Sequence, residues 1–227
     1  MEFGEYSFPG AFFSERELEA FLNENKSYQV LWLEERFAQN IICEKYGYIK
    51  GQQGYPQAII DLKLPLSEIL GNFSSSRRSG IKKAENFGVH VELASDVDIE
   101  PFRYIWINGY CKKYGINFDD AKKYIEHWVA NKMLFLAKRD GVLLAGSVVR
   151  EIQAYQDLKV LVYSQNSSLP EYLKYNPNEY LIWNIIKYAK EMNFAYLSLA
   201  GSNVFKNQFT KSIPIVNKWI KNGVTVE

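Results

Sequence analysis

Hydrophobic positions recur with two periods along the chain, and the switches between them mark out the elements. Ser14 stands where a helix cap would, with Glu17 in capping-box spacing, so the pattern predicts a helix from there to about residue 25. Strand-like runs follow at 29–34 (QVLWLE), 40–48 (NIICEKYGY) and 57–62 (QAIIDL). A short helix at 67–72 leads into SSSRRSGIKKAENFGV at 74–89, which opens with serines able to accept from free amides and closes at Gly88. Residues 90–93 (HVEL) read as a brief strand. Two amphipathic helices come next: 100–114 with Phe102, Ile105, Trp106, Gly109 and Tyr110 on one face, and 119–129 with Ala121, Tyr124, Ile125 and Trp128.

The block after them is sharper. Residues 132–138 (KMLFLAK) and 142–152 (VLLAGSVVREI) flank Arg139-Asp140-Gly141, a strong hairpin signal. Residues 158–165 (LKVLVYSQ) make a third strand, and a polar segment runs on to Asn176-Pro177-Asn178. A helix from about Asn178 to Met192 turns Tyr180, Ile182 or Trp183, Ile186 and Ala189 inward. A strand at 195–200 ends at Gly201, and 215–220 forms a last strand or helix. The order after residue 100 is α-α-β-β-β-α-β. It predicts an α/β (α+β) fold with a mixed, mostly antiparallel sheet flanked by helices. The helical crossover makes the strand after it parallel to the strand before it.

Composition narrows the classes. With 227 residues, 47% apolar and 23% charged, the chain suits a soluble globular protein with a real core. The net charge is only +1, so any phosphate or nucleic-acid contact must come from a local patch. Cys43 and Cys111 lie far apart with no metal or redox spacing, which points to no metal and a reduced, cytoplasmic setting. The opening MEFGEYSFPGAFF is acidic and broken by Pro9, unlike a secretory signal. No apolar run approaches the ~20 residues of a membrane span. Aromatics reach 15%, with 16 Tyr; they fit either a tyrosine-rich core and sheet surface or a stacking surface for sugars or bases.

The local patch sits in the 74–89 helix. Arg77 and Arg78 fall in its first turn, where the helix dipole opposes cations by roughly 0.3–1 kcal/mol each. Lys82 extends the face of Arg78, and Ile81, Ala84 and Phe87 form the buried stripe. Two guanidinium forks at an amide-rich tip suit a phosphate, in a nucleotide-sugar, a lipid-linked acceptor or a tRNA acceptor stem. The other reading is a solvated basic face partly neutralised by Glu85. No Ser-His-Asp or Cys-His arrangement is visible, and His90 and His127, the only histidines, lack a partner motif.

Four blocks carry a resemblance. They are Ile59-Ile-Asp-Leu62 with Arg77-Arg78, Ile81-Lys-Lys-Ala-Glu85 and Gly88-Val89; Asp140-Gly141 with Ala145-Gly146; Tyr180-Leu-Ile-Trp183 through Ala189 to Leu199-Ala-Gly201; and Phe205-Lys206 with Phe209. In this order and spacing, over roughly residues 57 to 210, they resemble the GNAT acyltransferase superfamily. More narrowly, they resemble its Fem-like branch of aminoacyl-tRNA-dependent peptidyltransferases. Full Fem proteins carry two GNAT-like halves, and only about 65 residues precede the second-half block here. The resemblance therefore implies a reduced N-terminal segment, 1–65, packed on a GNAT-like domain, 66–227, as one compact unit. A homodimer would rebuild the two-half arrangement.

What the resemblance implies is an N-acyltransferase of Fem type. It would move an aminoacyl or acetyl group onto an amine of a small-molecule or lipid-linked cell-wall or surface-glycan precursor. No permanently bound cofactor is implied, and the donor is aminoacyl-tRNA or acyl-CoA. GNAT enzymes hold the CoA pyrophosphate on a glycine-rich turn before the long helix, where backbone amides face the anion. The matching segment, 164–178 (SQNSSLPEYLKYNPN), contains no glycine, so that cradle is expected to be absent, as it is in Fem-like proteins. Lys206 would offset charge developing on the transferred carbonyl, and Tyr163 would donate to the leaving group. Ser164 and Asn178 join Arg77, Arg78 and Lys82 as substrate-binding candidates. The alternative is a non-catalytic Fem-like module or subunit that recognises tRNA or a phosphorylated sugar.

Overall fold

The computed structural model describes residues 5–8, 15–24, 30–34, 42–51, 55–116, 120–153 and 159–223. Its larger sheet has six strands in the order β5 (Ile59–Asp61), β10 (Tyr196–Ser198), β9 (Lys159–Ser168), β8 (Val142–Gln153), β7 (Leu134–Arg139) and β6 (His90–Leu93). Every neighbouring pair is antiparallel except β9 and β10. That parallel step is the crossover carried by helix α6 (Pro177–Glu191), as the element order requires. The hairpin between β7 and β8 turns on Asp140 at φ +49 and Gly141 at φ +75. Two successive left-handed residues match the right-handed twist of the strands they join.

The sheet is buried on both faces, which is why its strands read as continuous apolar runs. Along β7, Phe135 and Ala137 face a core built with α2 (Leu66–Asn72), α3 (Ser75–Asn86) and α6, while Leu134 and Leu136 face the opposite layer. That layer is α4 with α5 (Ala121–Ala130). Helix α4 runs from Ile99–Trp106 through a π segment, Ile107–Cys111, to Lys112–Tyr114. Val160 and Val162 of β9 meet a third core with α1 (Glu15–Glu24) and a smaller sheet. The smaller sheet joins both ends of the chain in the order β1 (Glu5–Phe8), β2 (Val30–Glu34), β11 (Ile215–Lys221), β3 (Tyr48–Lys50), with β4 (Tyr55–Pro56) also on β11.

Several expectations shift. Residues 42–45 form a helical turn, with Ile42 and Cys43 buried and Gly47 at φ +80 ending it, so the strand expected over 40–48 begins only at Tyr48. Helix α6 buries Leu181, Ile182, Ile185, Ile186 and Ala189, leaving Tyr180 and Trp183 half-buried: its inward stripe is rotated from the expected one. Strand β9 runs on to Ser168, and the last element is a strand. Ser14, the expected cap of α1, lies outside the described residues, as do 35–41.

The π segment has a visible cause. Ser167 of β9 donates its hydroxyl to the Ile105 carbonyl at 2.8 Å and accepts from the Tyr110 amide at 3.1 Å. The strand residue thus inserts into the ladder that an α-helix would close, and the turn widens. Gly109 permits it, since a Cβ there would lie 2.3 Å from the Ser167 hydroxyl.

One ion cluster ties the far edge of the sheet to α4. Lys138 on β7 reaches Asp98 at 2.5 Å and Glu92 at 2.6 Å, and the Asp98 side chain is only 6% exposed. Burial pushes the Asp98 carboxyl up. Lys138, the Ser95 amide and the Ser95 hydroxyl outweigh it and hold the pKa below the usual carboxylate range. The contribution is therefore present above the unfolded carboxylate pKa of about 3.9 and lost as pH falls through the lower folded value. Replacing Lys138 by Met strands Asp98 and should cost about 3 kcal/mol in denaturant unfolding at neutral pH. In Asp98→Asn, stability should fall less steeply on the acid side than in the parent.

Candidate functional site

Strand β10 pairs with only residues 160–162 of β9, while β9 continues to Ser168. Past that point the two strands part. After β10, Ala200 at φ +50 and Gly201 at φ +57 turn the chain away from the sheet. A cleft of about 890 Å3 opens in the gap. Its floor is the end of β9 with Val148 and Arg150 of β8. One wall is the π-bulged end of α4 with α5. The other is the segment after β10, from Ala200 to Lys206, with Asn178 at the start of α6.

The electrostatics of this cleft are one-sided. Lys113, Arg150 and Lys206 line it together with His127, and among the described residues no Asp or Glu does. Arg150 makes no ion pair among the described residues, and Lys113 lies only against the Tyr114 ring, 5.1 Å from its centroid. Lys206 starts a 3-10 turn (Lys206–Phe209) and donates its ammonium to the Ala200 carbonyl at 2.6 Å. Burial lowers its pKa, and the nearby Lys113 charge lowers it further. Aromatic rings frame the mouth: Tyr110 lies 4.8 Å from Tyr114 between centroids, and Tyr124 and Trp128 stand on the adjoining helix. Cations beside exposed rings, without carboxylates, make a receptacle for an anionic ligand that carries a flat or ring-shaped group.

The candidates from the sequence divide between two places. Tyr163, Ser164, Asn178 and Lys206 all line the cleft. Tyr163 is 1% exposed, and burial pushes its pKa up, so it stays in the donor form. The Ser164 hydroxyl donates to the Val148 carbonyl at 3.1 Å. The Asn178 amide donates to Ser168 at 3.0 Å and accepts from Asn166 at 3.1 Å, pinning α6 to the end of β9.

Arg77, Arg78 and Lys82 do not line the cleft. Arg77 pairs with Glu179 in the first turn of α6, donates to the Gln208 side chain at 2.9 Å and stacks 4.5 Å over the Phe205 ring. Arg78 donates to the Phe73 carbonyl at the end of α2. Lys82 is exposed. The Arg77 charge is thus answered by Glu179, whereas Arg78 and Lys82 form no ion pair among the described residues. The tip itself has the expected cap, with the Ser74 hydroxyl accepting from the Arg77 amide. Of the two histidines, His127 faces the cleft and His90 sits exposed beside Glu92.

Sequence reading missed Lys113, Arg150 and Gln165. Arg150 carried a signal, as the one cation within the apolar run VLLAGSVVREI. Gln165, at φ +43 where the register of β8 against β9 shifts, holds a buried side-chain oxygen with no partner. Nothing in its neighbours announced that bulge.

Comparison with known proteins bears on the fold. No family model matches the chain, and no curated protein matches it in sequence. Solved structures do. FemX superposes with a TM-score of 0.69 at 14% identity, covering 96% of this chain and 80% of that one. L-PGS from Bacillus licheniformis gives 0.57 at 12%, covering 98% and 79%. An acetyltransferase of the GNAT family from Colwellia psychrerythraea gives 0.51 at 14%, covering 91% and 72%. The chain therefore has a Fem/GNAT-like fold, with a mostly antiparallel six-stranded sheet flanked by helices. Among the described residues no helix is long and apolar enough to cross a membrane, and no group of His, Cys, Asp or Glu is placed to hold a metal.

A buried ammonium with a lowered pKa burdens the fold. Its folded pKa lies below the unfolded one, so the penalty is full at neutral pH and fades as pH rises toward the unfolded lysine value of about 10.4. Lys206→Met should therefore unfold at an equal or higher temperature than the parent at pH 7. That advantage should shrink in alkaline buffer, as read by thermal melts across pH.

Proposed function

We propose that this chain is an N-acyltransferase of Fem type, moving an aminoacyl or acetyl group from a phosphate-bearing donor to an amine of a cell-wall or surface-glycan precursor in the cytoplasm. The observation that carries the reading is Lys206, half-buried with Lys113 and Arg150 at a cleft between parted strands of a Fem/GNAT-like sheet. In acyl transfer the amine lone pair attacks the carbonyl carbon and its oxygen gains negative charge. The bond to the leaving oxygen or sulfur then breaks, and that atom takes up a proton as the amine gives one away. A fixed cation beside the carbonyl lowers the energy of the charged intermediate, more so where water is excluded. Lys206 supplies that cation; Lys113 and Arg150 receive donor phosphates. The protonated Tyr163, within β9 just past its last residue paired with β10, is the donor to the leaving group in this reading.

The donor we favour is aminoacyl-tRNA over acyl-CoA. The segment before α6 reaches the helix through Asn176 at φ +53 and a 3-10 turn (Pro170–Tyr175), with no glycine to let a pyrophosphate approach the backbone closely. The rings at the mouth suit the unpaired bases of a 3′ end. A second reading, a module that binds tRNA or a phosphorylated sugar without chemistry, is favoured by a cleft lining that, among the described residues, includes no carboxylate to take the amine proton.

Charged tRNA should raise the melting temperature, and acetyl-CoA should not. If Lys113 and Arg150 each meet one phosphate, the logarithm of affinity should fall against the logarithm of salt with a slope of about −1.4. Lys206→Met should abolish transfer of a radiolabelled aminoacyl group to a precursor amine while the protein stays folded. Stabilisation by acetyl-CoA instead would overturn the choice of donor. Binding of tRNA with no transfer to any amine would establish the module reading.

A further inference from the structure

The turn that carries Lys206 is held locally by Asn203, whose side-chain oxygen accepts from the Lys206 amide at 2.9 Å, and from outside the cleft through Gln208. Gln208, two residues after Lys206, places its side-chain oxygen among three donors from the start of α3: Arg77 Nε at 2.9 Å, Ser76 Oγ at 3.1 Å and Ser74 Oγ at 3.3 Å. The Ser74 amide also donates to the Gln208 carbonyl at 2.8 Å. On the other side of Lys206, Phe205 lies under the Arg77 guanidinium and forms part of the cleft wall. Phe209 anchors the turn below, packed edge-on to Phe73 and Phe205 at 5.1 and 5.2 Å between centroids. The remaining arm of Arg77 pairs with Glu179, next in sequence to the cleft residue Asn178, with side chains only 20% and 12% exposed.

We propose that Arg77 is a positioning residue for Lys206, clamping the turn that carries the ammonium against the starts of α3 and α6. A forked, planar group is required, since it must stack on a ring, donate along its edge to an amide oxygen and reach a carboxylate at once. This also supplies the reason for an arginine in the first turn of a helix. The carboxylate across the junction offsets the dipole, and the residue works sideways, on the loop. The inference rests on the reading of Lys206 as the cleft's working cation and adds how that cation is kept in register. Lys206 faces Lys113 from the end of α4 and Arg150 from β8, so a displacement of its turn changes both its burial and its distance from like charges.

The test reads Lys206 directly and needs no acyl donor, so its outcome is separate from that of any transfer assay. Competitive labelling with isotopic acetic anhydride across pH, resolved by peptide mapping, gives the protonation midpoint of each lysine in the folded protein. In the parent, the Lys206 midpoint should lie below the ordinary lysine range, in keeping with its burial and the nearby Lys113 charge. In Arg77→Ala and in Gln208→Ala the midpoint should rise toward the ordinary lysine range as the turn loosens, with labelling curves elsewhere in the chain unchanged. A residue that only stabilised the fold would lower the melting temperature and leave the Lys206 midpoint in place. Two folded variants whose Lys206 curves superimpose on the parent's overturn the proposal. Should Arg77→Ala fail to fold, Gln208→Ala, which removes the clamp from the loop side and leaves the Arg77–Glu179 pair standing, decides alone.

Discussion

A lysine ammonium kept half out of water, with one carbonyl as its recorded hydrogen-bond partner and a second lysine nearby, is an arrangement that a fold must be built to hold. Left free, the side chain would swing to solvent and recover its hydration. Two features oppose that. Strands β9 and β10 part after three paired residues, which makes a place for the ammonium, and the left-handed Ala200 and Gly201 aim the following segment across the gap. The Ala200 carbonyl, exposed by that same turn, accepts from Lys206. Packing beneath the turn then fixes Phe209 between Phe205 and Phe73, at the end of α2. The sheet geometry, the two unusual backbone residues and the aromatic cluster thus serve one charge.

The same constraint sorts ligands. A cleft lined by three cations and, among the described residues, no carboxylate repels amines in their charged form and attracts phosphates, so an acceptor amine enters best as the neutral base. That is also the only form in which it attacks a carbonyl. The π segment of α4 has a part in this. By letting Ser167 take the Ile105 carbonyl and the Tyr110 amide, it draws the helix close to the strand end and sets Tyr110 and Lys113 at the cleft wall. A regular α-helix, with Ala in place of Gly109, could not approach so closely.

Much of this was legible in the sequence where a local rule decides the outcome. The Asp140-Gly141 hairpin follows from two residues tolerant of positive φ, and the parallel β9–β10 step from the crossover. The Ser74 cap and the Gly88 stop, at φ +74, follow from side-chain and backbone chemistry within a few residues. What was not legible depends on partners far along the chain. Arg77 stood out as a misplaced charge, yet its partners Glu179 and Gln208 are 102 and 131 positions away, and no local pattern could name them. Ser167 lies 57 positions from the helix it widens. Lys113 and Arg150 lie far along the chain from Lys206, and only the parting of β9 and β10 brings the three to one cleft.

The central claim is that these three cations act as one anion-receiving site. The most direct measurement is a titration of the folded protein with inorganic pyrophosphate, followed by nuclear magnetic resonance of isotopically labelled lysine and arginine side chains. The account predicts that Lys113, Arg150 and Lys206 shift together on a single saturating curve. Shifts confined to exposed lysines such as Lys82, or three unrelated curves without saturation, would contradict it.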